Sequence, residues 1–266
     1  IVVASDGSSD NTVPSLEKIK NKKLTILISK KRRGKAYRQN QMFARTESDI
    51  IVLLDADIVI SQPNFIELLI KPIISGEADM TSSAILEQFP RTFFEEVLDI
   101  SMRLKRILFA HLNNGNNLYN CHGPARAMSR SIYKKIIFPQ SSGEDMYSYL
   151  AVLALGGRFV YVAKAEVYYH LPAHPTDHYK QSVRYLSAID AMTNYFPKDL
   201  VKKELLIPKI TFIKAAIAAL PMLFRYPFHT ILYVGVCLIT IIGNKLQVRP
   251  KELWSIKSSK IFSHAK

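Results

Sequence analysis

The sequence predicts an α/β protein with a Rossmann-like, mostly parallel sheet flanked by helices, followed by a C-terminal helical segment that associates with a membrane. Two observations carry this prediction. Short apolar runs alternate with helix-like segments over residues 1–85, which is typical of parallel strands joined by crossover helices. Residues 198–266 combine twelve Lys/Arg and three Asp/Glu with the longest apolar stretches of the chain.

The predicted elements follow in order along a first domain at residues 1–197. Strands are predicted at residues 1–5, 24–29, 50–54 and 79–85, and helices at 14–21, 35–46 and 64–74. A long helix at 91–112 precedes an Asn/Gly-rich loop at 113–117. A second α/β stretch runs from 119 to 169, with a helix at 145–155 and a strand at 166–169, and the pattern is helical from 178 onward.

The overall composition excludes several classes of protein. The 266 residues include 36 Lys+Arg and 22 Asp+Glu, a net charge of +14, yet 48% are hydrophobic, which is too much core material for a disordered basic tail. Cys121 and Cys237 stand far apart, so neither a disulfide framework nor a cysteine zinc site is expected, and the protein should face a reducing cytosol. The chain starts at Ile1 inside a strand-like run without an initiator Met, so we expect a fragment.

The tail at residues 198–266 predicts membrane association. Its apolar stretches, at 210–224 and 226–244, are short or borderline for a spanning helix, which needs about 20 apolar residues. Pro221 and Pro227 are expected to break the region into pieces. We therefore expect helices that lie in or dip into the cytoplasmic leaflet, with flanking lysines against anionic headgroups. The alternative is an ordinary buried helical hairpin with a basic rim; a nucleic-acid surface is not expected, because the aromatic stacking platform is missing.

The strongest local feature is a pair of carboxylates after the third strand. The apolar run at 50–54 ends in Asp55-Ala56-Asp57. Ligands of open parallel sheets bind beyond the carboxyl ends of the strands, where this pair would stand. Mg²⁺ and Mn²⁺ prefer such oxygen ligands and usually share them with substrate phosphates.

Two further segments are expected at the same edge. A turn with Asp6 and Gly7 follows the first strand, where Asp6 could accept the imide N–H of a uracil ring or simply stabilise the turn. A basic loop at 30–33 leads through Gly34 into a helix that starts at Lys35. A helix N-terminus with cationic side chains favours a bound phosphate, although four consecutive Lys/Arg are also typical of a solvated rim.

Adjacent carboxylates also open a later helix. Glu144 and Asp145 follow a Ser/Ser/Gly turn, where acids complement the helix dipole. The functional interpretation is that Asp145 is a general base, held in a partly apolar cleft, for an attacking hydroxyl. His170, His174 and His178 recur every four residues, but intervening prolines prevent one continuous helix there, so only His170 is kept as a possible phosphate or metal contact.

Together these segments resemble family 2 glycosyltransferases of the GT-A fold, the inverting enzymes that include cellulose- and hyaluronan-synthase-like proteins. The resemblance covers about residues 1–195. Six segments occur in the family's order: V-A-S-D-G-S-S-D-N-T (3–12), R-G-K-A (33–36) with Asn40, D-A-D (55–57), G-P-A-R-A-M-S-R (123–130), G-E-D (143–145) and Q-S-V-R-Y (181–185). Tyr185 stands where the family has Trp, and the family's first strand with its P-x-Y-N-E segment is missing, so this fragment alone is expected to be inactive or weak.

The resemblance implies a set of roles. The donor would be a UDP- or GDP-linked sugar and the acceptor a hydroxyl on a glycan or lipid, at the cytosolic face of a membrane, with Mg²⁺ or Mn²⁺ as cofactor. Asp57 would hold the metal, with Asp55 on the nucleoside and as a secondary ligand, and Asp145 would be the base. The remaining nucleotide-sugar contacts would come from Asp6, Lys35, Gly123, Gln181, Arg184 and Tyr185.

Two other classes of function stay open. A haloacid-dehalogenase-like phosphohydrolase also has an apolar strand that ends in D-x-D, but usually on its first strand, whereas Asp55 and Asp57 follow the third. A non-catalytic, membrane-peripheral binding protein on a degenerate transferase scaffold would not need Asp55, Asp57 and Asp145, all of which are present.

Overall fold

The computed structural model describes residues 1–140 and 143–246. Residues 141–142 and 247–266, which include the end of the predicted tail and five of its twelve Lys/Arg residues, lie outside the described residues. The strands are β1 (Val2–Asp6), β2 (Thr25–Ser29), β3 (Ile50–Leu54), β4 (Met80–Glu87), β5 (Ala125–Ser129) and β6 (Phe159–Tyr169). The helices are α1 (Thr12–Glu17), α2 (Lys35–Arg45), α3 (Phe65–Ile74), α4 (Phe93–Ala110), α5 (Arg130–Tyr133), α6 (Glu144–Ala154), α7 (Pro175–Met192), α8 (Lys198–Leu205), α9 (Lys209–Arg225) and α10 (Pro227–Lys245).

The strands form two sheets, and one strand runs against the expected direction. β1 and β2 pair in parallel, while the larger sheet has the order β3-β5-β4-β6. β5 is antiparallel to both β3 and β4, and β4 is parallel to β6. The α/β class is confirmed, but the sheet is mixed rather than mostly parallel. The physical reason is that α4 and the loop after it leave the chain at the edge where β3 and β4 end, so the chain enters β5 from that edge and runs antiparallel to both.

The larger sheet buries both of its faces. On one face, Ala125 and Ala127 of β5 pack with Phe65 and Leu69 of α3. On the other face, Met128 packs in a cluster that includes residues of α6 and of α8. Because side chains alternate along a strand, residue 126 of β5 points to this second face, towards α6.

The predicted tail divides into two parts in the structure. In α8, Val201 is 2% exposed in the main core and Glu204 accepts a hydrogen bond from Tyr149, so the packing of the first domain continues past residue 197. In contrast, α9 and α10 lie on α4 and expose most of their apolar side chains. An ordinary buried hairpin is therefore not what forms.

Two local predictions also need correction. Pro221 lies inside α9 and does not end it, because the carbonyl that it leaves without an N–H partner belongs to Ile217, which is 63% exposed to solvent. The break comes instead at Tyr226, and Pro227 opens α10, as its fixed φ favours. The first helix spans Thr12–Glu17 rather than 14–21, with Pro14 in its first turn.

Candidate active site

Four segments converge at the carboxyl end of β3. Leu54, the last residue of β3, pairs with Ala125, the first residue of β5. The backbone N–H of Asp55 donates to the carbonyl of Pro124 at 2.9 Å, which places Gly123 and Pro124 beside the D-A-D turn. The other two segments are the starts of two helices: α2 begins at Lys35 and α6 begins at Glu144.

Lys35 joins two of these segments by ion pairs. Its Nζ lies 2.6 Å from Oδ1 of Asp55 and 2.7 Å from Oε1 of Glu144. Burial acts to lower the pKa of Lys35, but Asp55 and Glu144 outweigh it and raise this pKa. Burial raises the pKa of Asp55, against the opposing effect of Lys35. The lysine thus stays charged and links the D-A-D turn to the start of α6.

The adjacent carboxylates of α6 have pKa values that move in opposite directions. Burial acts to raise the pKa of Glu144, but Lys35 and Arg126 overcome it and lower this pKa to about 2. Burial, together with the negative charge of Glu144, raises the pKa of Asp145. Oδ1 of Asp145 accepts a hydrogen bond from its neighbour Met146 N at 2.8 Å. Two carboxylates whose environments separate their pKa values are typical of an acid–base site, and Asp145 is the one suited to take up a proton.

Asp145 borders a small cavity of about 80 Å³. The cavity is lined by Leu118, Tyr119, Cys121, His122, Asp145, Met146 and Tyr185. Burial and the charge of Arg106 lower the pKa of His122 to about 4, and burial raises the pKa of Cys121 to about 12, so both are neutral near pH 7. The cavity has room for only a few heavy atoms, and it places them beside the carboxylate of Asp145, the imidazole of His122 and the phenol of Tyr185. These groups suit a hydroxyl group as ligand. A larger cavity of about 250 Å³ lies between α4 and α10, away from these carboxylates.

Asp57 differs from the other acids of the site. It is exposed, and within the part of the chain that the structure describes it has neither an ion pair nor a side-chain hydrogen bond. Among residues 1–140 and 143–246, no three His, Cys, Asp or Glu side chains converge to hold a metal by themselves. The donor set therefore fits a hard divalent cation that takes one or two carboxylates from the protein and its other ligands from a substrate. His170 follows β6 and joins no such group of three.

Asp6 stands at the end of β1 and fixes the basic loop. Its Oδ1 accepts hydrogen bonds from Arg33 N and Arg38 Nε, both at 2.9 Å, and its Oδ2 accepts one from Gly34 N at 2.7 Å. Gly7, at φ +70°, lets the turn approach this loop so closely that a side chain would meet Arg32 N at 2.9 Å. Asp6 thus shapes the approach to Lys35, and a contact between Asp6 and a nucleotide base stays a prediction.

The Q-S-V-R-Y segment lies on α7. Tyr185 lines the cavity beside Asp145, whereas Gln181 and Arg184, which precede it on the same helix, are half-buried and do not line that cavity. Gly143 brings α7 close to the start of α6: at φ +89°, it leaves so little room that an added Cβ would lie 2.7 Å from Cβ of Ala188. At Gly123, likewise, an added Cβ would lie 3.5 Å from Oδ2 of Asp145, which keeps that position beside the carboxylate.

Three groups at this site were not singled out from the sequence. Glu144 was expected only as a helix-capping acid, and it pairs with Lys35. His122 reads as an isolated histidine, and Arg126, which is 0% exposed, reads as an ordinary surface charge. The only sequence signal for His122 and Arg126 was their position close to Gly123.

A family model described as glycosyl transferase family 2 matches residues 1–137, which is half of the chain. The chain belongs to this family, whose enzymes are glycosyltransferases.

Two solved structures are similar to the chain. A mannosyltransferase, PcManGT from Pyrobaculum calidifontis, in complex with GDP-Man and Mn²⁺, is similar with a TM-score of 0.57 and 17% identity, over 93% of this chain and 74% of that chain. Glucosyl-3-phosphoglycerate synthase from Mycobacterium tuberculosis gives a TM-score of 0.49 and 20% identity, over 70% of this chain and 67% of that chain. No curated protein sequence matches the chain. The GT-A fold is thus shown by the first of these structures, and family membership removes the phosphohydrolase alternative.

Proposed function

We propose that this protein is an inverting glycosyltransferase that moves a sugar from a nucleoside-diphosphate sugar to a hydroxyl acceptor. The observation that carries the proposal is the edge where Lys35 bridges Asp55 and Glu144. The lysine thereby links the turn that carries the exposed Asp57 to the helix start that carries Asp145 and its cavity. We assign the metal diphosphate to the first of these segments and the acceptor hydroxyl to the second. This arrangement suits a transfer from the first to the second.

The chain's own residues account for the chemistry. Asp145 takes the proton from the acceptor hydroxyl, whose oxygen then forms a bond to the anomeric carbon. The bond from that carbon to the diphosphate oxygen breaks, and the nucleoside diphosphate leaves with its electron pair. Because the displacement is direct, no covalent glycosyl intermediate forms and the anomeric configuration inverts. His122 and Tyr185 are neutral groups that orient the acceptor hydroxyl within the cavity.

The donor is held at the other side of the site. Asp57, with Asp55 as a secondary ligand, would hold Mg²⁺ or Mn²⁺, which supplies positive charge for the departing diphosphate. Lys35, Arg184 and Gln181 would contact the diphosphate, Asp6 the base, and Gly123 the sugar. UDP- and GDP-linked sugars are the candidates. The complex of PcManGT with GDP-Man makes GDP-mannose the first donor to test.

The experiment is a thermal-shift panel with UDP and GDP, each with Mn²⁺, Mg²⁺ or EDTA, on the protein with any preceding residues restored. We expect one nucleotide to raise Tm in the presence of metal only, and Asp57→Ala to abolish that rise. Asp49→Ala is the matched control, since Asp49 is exposed at the opposite end of β3. No response to either nucleotide would remove the transferase proposal and leave the non-catalytic binding protein.

We further propose that α9 and α10 lie in the plane of a membrane at its cytoplasmic face. Two helical stretches of the described chain, at Lys198–Arg225 and Pro227–Lys245, are long and apolar enough to cross a membrane. By itself, length is weak support for spanning. α9 and α10 expose their apolar side chains, carry no Asp or Glu, and have exposed cations at Lys209, Lys214, Arg225 and Lys245.

The contacts of α10 with the first domain favour lying over spanning. At its start, His229 Nε2 lies 3.6 Å from Oε2 of Glu96 of α4. In its middle, the ring of Tyr233 lies 5.3 Å from Nζ of Lys105, and near its end Gly243 lies so close to Tyr179 of α7 that an added Cβ would clash with the tyrosine side chain. A helix that follows the charged α4 in this way cannot also cross the hydrocarbon core. The acceptor would then be a glycan or lipid at the membrane surface, and no nucleic-acid partner is proposed.

A further inference from the structure

Arg126 is a buried cation that the proposed reaction does not use directly. It lies in the middle of β5, opposite Leu53 of β3 and Ser82 of β4, and it is 0% exposed. Because its neighbours Ala125 and Ala127 face α3, its side chain extends to the other face of the sheet, beneath the start of α6. A methionine of similar size would fill this space without burying a charge.

The guanidinium holds the first turn of α6 through two acceptors. Its Nη1 donates to the carbonyl of Glu144 at 2.9 Å and to Oγ of Ser148 at 2.5 Å. Ser148 Oγ in turn donates to the carbonyl of Asp145 at 2.8 Å. Both residues of the carboxylate pair are therefore fixed through their backbone, directly or by one relay. Nε and Nη2 of Arg126 are buried and have no hydrogen-bond partner among the described residues.

The charge of Arg126 is compensated by the carboxylates above it. A buried ion is costly unless opposite charges lie close by. Arg126 acts to lower the pKa of both Glu144 and Asp145, against the burial that raises them. This balance makes the guanidinium and the carboxylate pair dependent on each other.

The other groups that face Asp145 do not supply a comparable fixed charge. They are Lys35 of α2, Glu144 next to Asp145 on α6, Tyr119, Cys121 and His122 of the segment before β5, and Tyr185 of α7. Lys35 is shared between Asp55 and Glu144, and Tyr119, Cys121, His122 and Tyr185 are neutral near pH 7. Within the described residues, Arg126 makes no side-chain ion pair of its own, so its field acts on the whole carboxylate group.

We propose that Arg126 is a positioning residue, which holds the first turn of α6 with Asp145 at the cavity and supplies a fixed positive charge that favours the ionised form of this carboxylate. The inference rests on the proposed function insofar as Asp145 is the base. Its geometric part stands on the contacts of Arg126 with Glu144 and Ser148 alone.

The first test compares the pH dependence of kcat/KM for the full chain with that of Arg126→Met and Arg126→Lys. Loss of the cation raises the pKa of Asp145, so the acidic limb of the Arg126→Met profile should move up by about one to two pH units. Arg126→Lys keeps the charge but loses the fork of hydrogen bonds, so its limb should stay in place while the rate falls equally at every pH. An Arg126→Met rate that falls by one constant factor at all pH values would overturn the proposal.

The second test needs no transferase activity. Tm is measured for the wild type, Arg126→Met, Asp145→Asn and the double variant, with the same cycle on Asp49→Asn as the control. We expect Arg126→Met to lower Tm less in the Asp145→Asn background, because the charge that it compensates is gone, and to be additive with Asp49→Asn. Additive losses in the first cycle, or a double variant that stays unfolded like Arg126→Met alone, would overturn the inference. Coupling without any transfer activity would support the role of Arg126 and remove only the proposed reaction.

Discussion

The acidic edge around Lys35 and the apolar hairpin of α9 and α10 depart from ordinary burial in opposite ways. At the edge, Arg126 is fully buried and Asp145 half-buried, whereas on the hairpin Phe224 is 80% exposed and Phe228 is 76% exposed. Charged groups rarely lie inside a protein, and contiguous apolar groups rarely lie outside. Both regions therefore point to function.

The two regions differ in where the compensation comes from. The charges of the edge are partly compensated within the chain, since Lys35 pairs with both Asp55 and Glu144, and Arg126 lies beneath the carboxylate pair on α6. The hairpin buries only a stripe of Thr211, Ala215 and Ala219 on α9 and Thr240 on α10. Its outer face has no such partner among the described residues. The edge can thus form before a substrate arrives, while the outer face of the hairpin stays without compensation unless it meets the apolar phase that we propose for it.

The largest expected effect comes from removing the proposed base from the edge. Asp145→Asn should lower the transfer rate about 10²- to 10⁴-fold, since the amide cannot accept the proton of the acceptor hydroxyl. Nucleotide protection in the thermal-shift assay should remain, because Asp57 and Lys35 are untouched. The transfer rate and the nucleotide-induced rise in Tm are measured on the same preparations, with Asp49→Asn as the control. Loss of nucleotide protection in Asp145→Asn would show that Asp145 is structural.

The next effect concerns the hairpin. Phe224→Asp and Phe228→Asp should each lower binding to anionic liposomes about 10- to 100-fold in a flotation assay, because each removes a large apolar side chain from the membrane phase. The control is Ile74→Asp at the end of α3, which is 69% exposed but outside the hairpin. If all three variants float like the wild type, the hairpin is not the membrane contact. High salt should also weaken liposome binding, because it screens the attraction between the exposed cations of the hairpin and the anionic headgroups.

Much of the fold could be predicted, because it depends on local patterns. The uninterrupted apolar run at 50–54 gave β3 its observed bounds, and the long amphipathic segment at 91–112 contains α4. The direction of β5 could not be predicted, since Ala-Arg-Ala-Met-Ser has no strong strand pattern and its two neighbours in the sheet are remote in sequence. The prediction at Pro221 was wrong for a related reason. Whether a proline ends a helix depends on whether the carbonyl four residues before it, here that of Ile217, can reach solvent.

The candidate site divides in the same way. The strand-end rule brought Asp55 and Asp57 to one edge from sequence alone, and the helix start supplied Asp145. The ion pair between Lys35 and Glu144 joins residues more than a hundred positions apart, so no local pattern announces it. Arg126 was missed because an arginine reads as a surface residue unless its strand is known to be covered on both faces.

The smallest expected effect tests a region between the two extremes, the part-exposed network at the end of β1. Asp6→Asn should lower the free energy of unfolding by about 1–3 kcal/mol at pH 7, since a charged acceptor of three hydrogen bonds is lost. Asp10→Asn in the same exposed turn is the control and should change it by only a few tenths of a kcal/mol.

The pH dependence of that difference gives the sharper readout. Burial acts to raise the pKa of Asp6, but the N–H donors of Arg33 and Gly34 and the charge of Arg38 outweigh it, so this pKa lies below its ordinary value of 3.8. A lowered pKa stabilises the folded state above the unfolded value, and this contribution is lost as the pH falls through the folded value. The gap between wild type and Asp6→Asn, from urea unfolding at a series of pH values, should therefore be constant from pH 7 to about 5 and shrink below about pH 4. If the difference in unfolding free energy between wild type and Asp6→Asn does not change with pH, the charge of Asp6 does not contribute. The network at the end of β1 would then be stabilised by packing, as the buried stripe of the hairpin is, and not by charge, as the edge is.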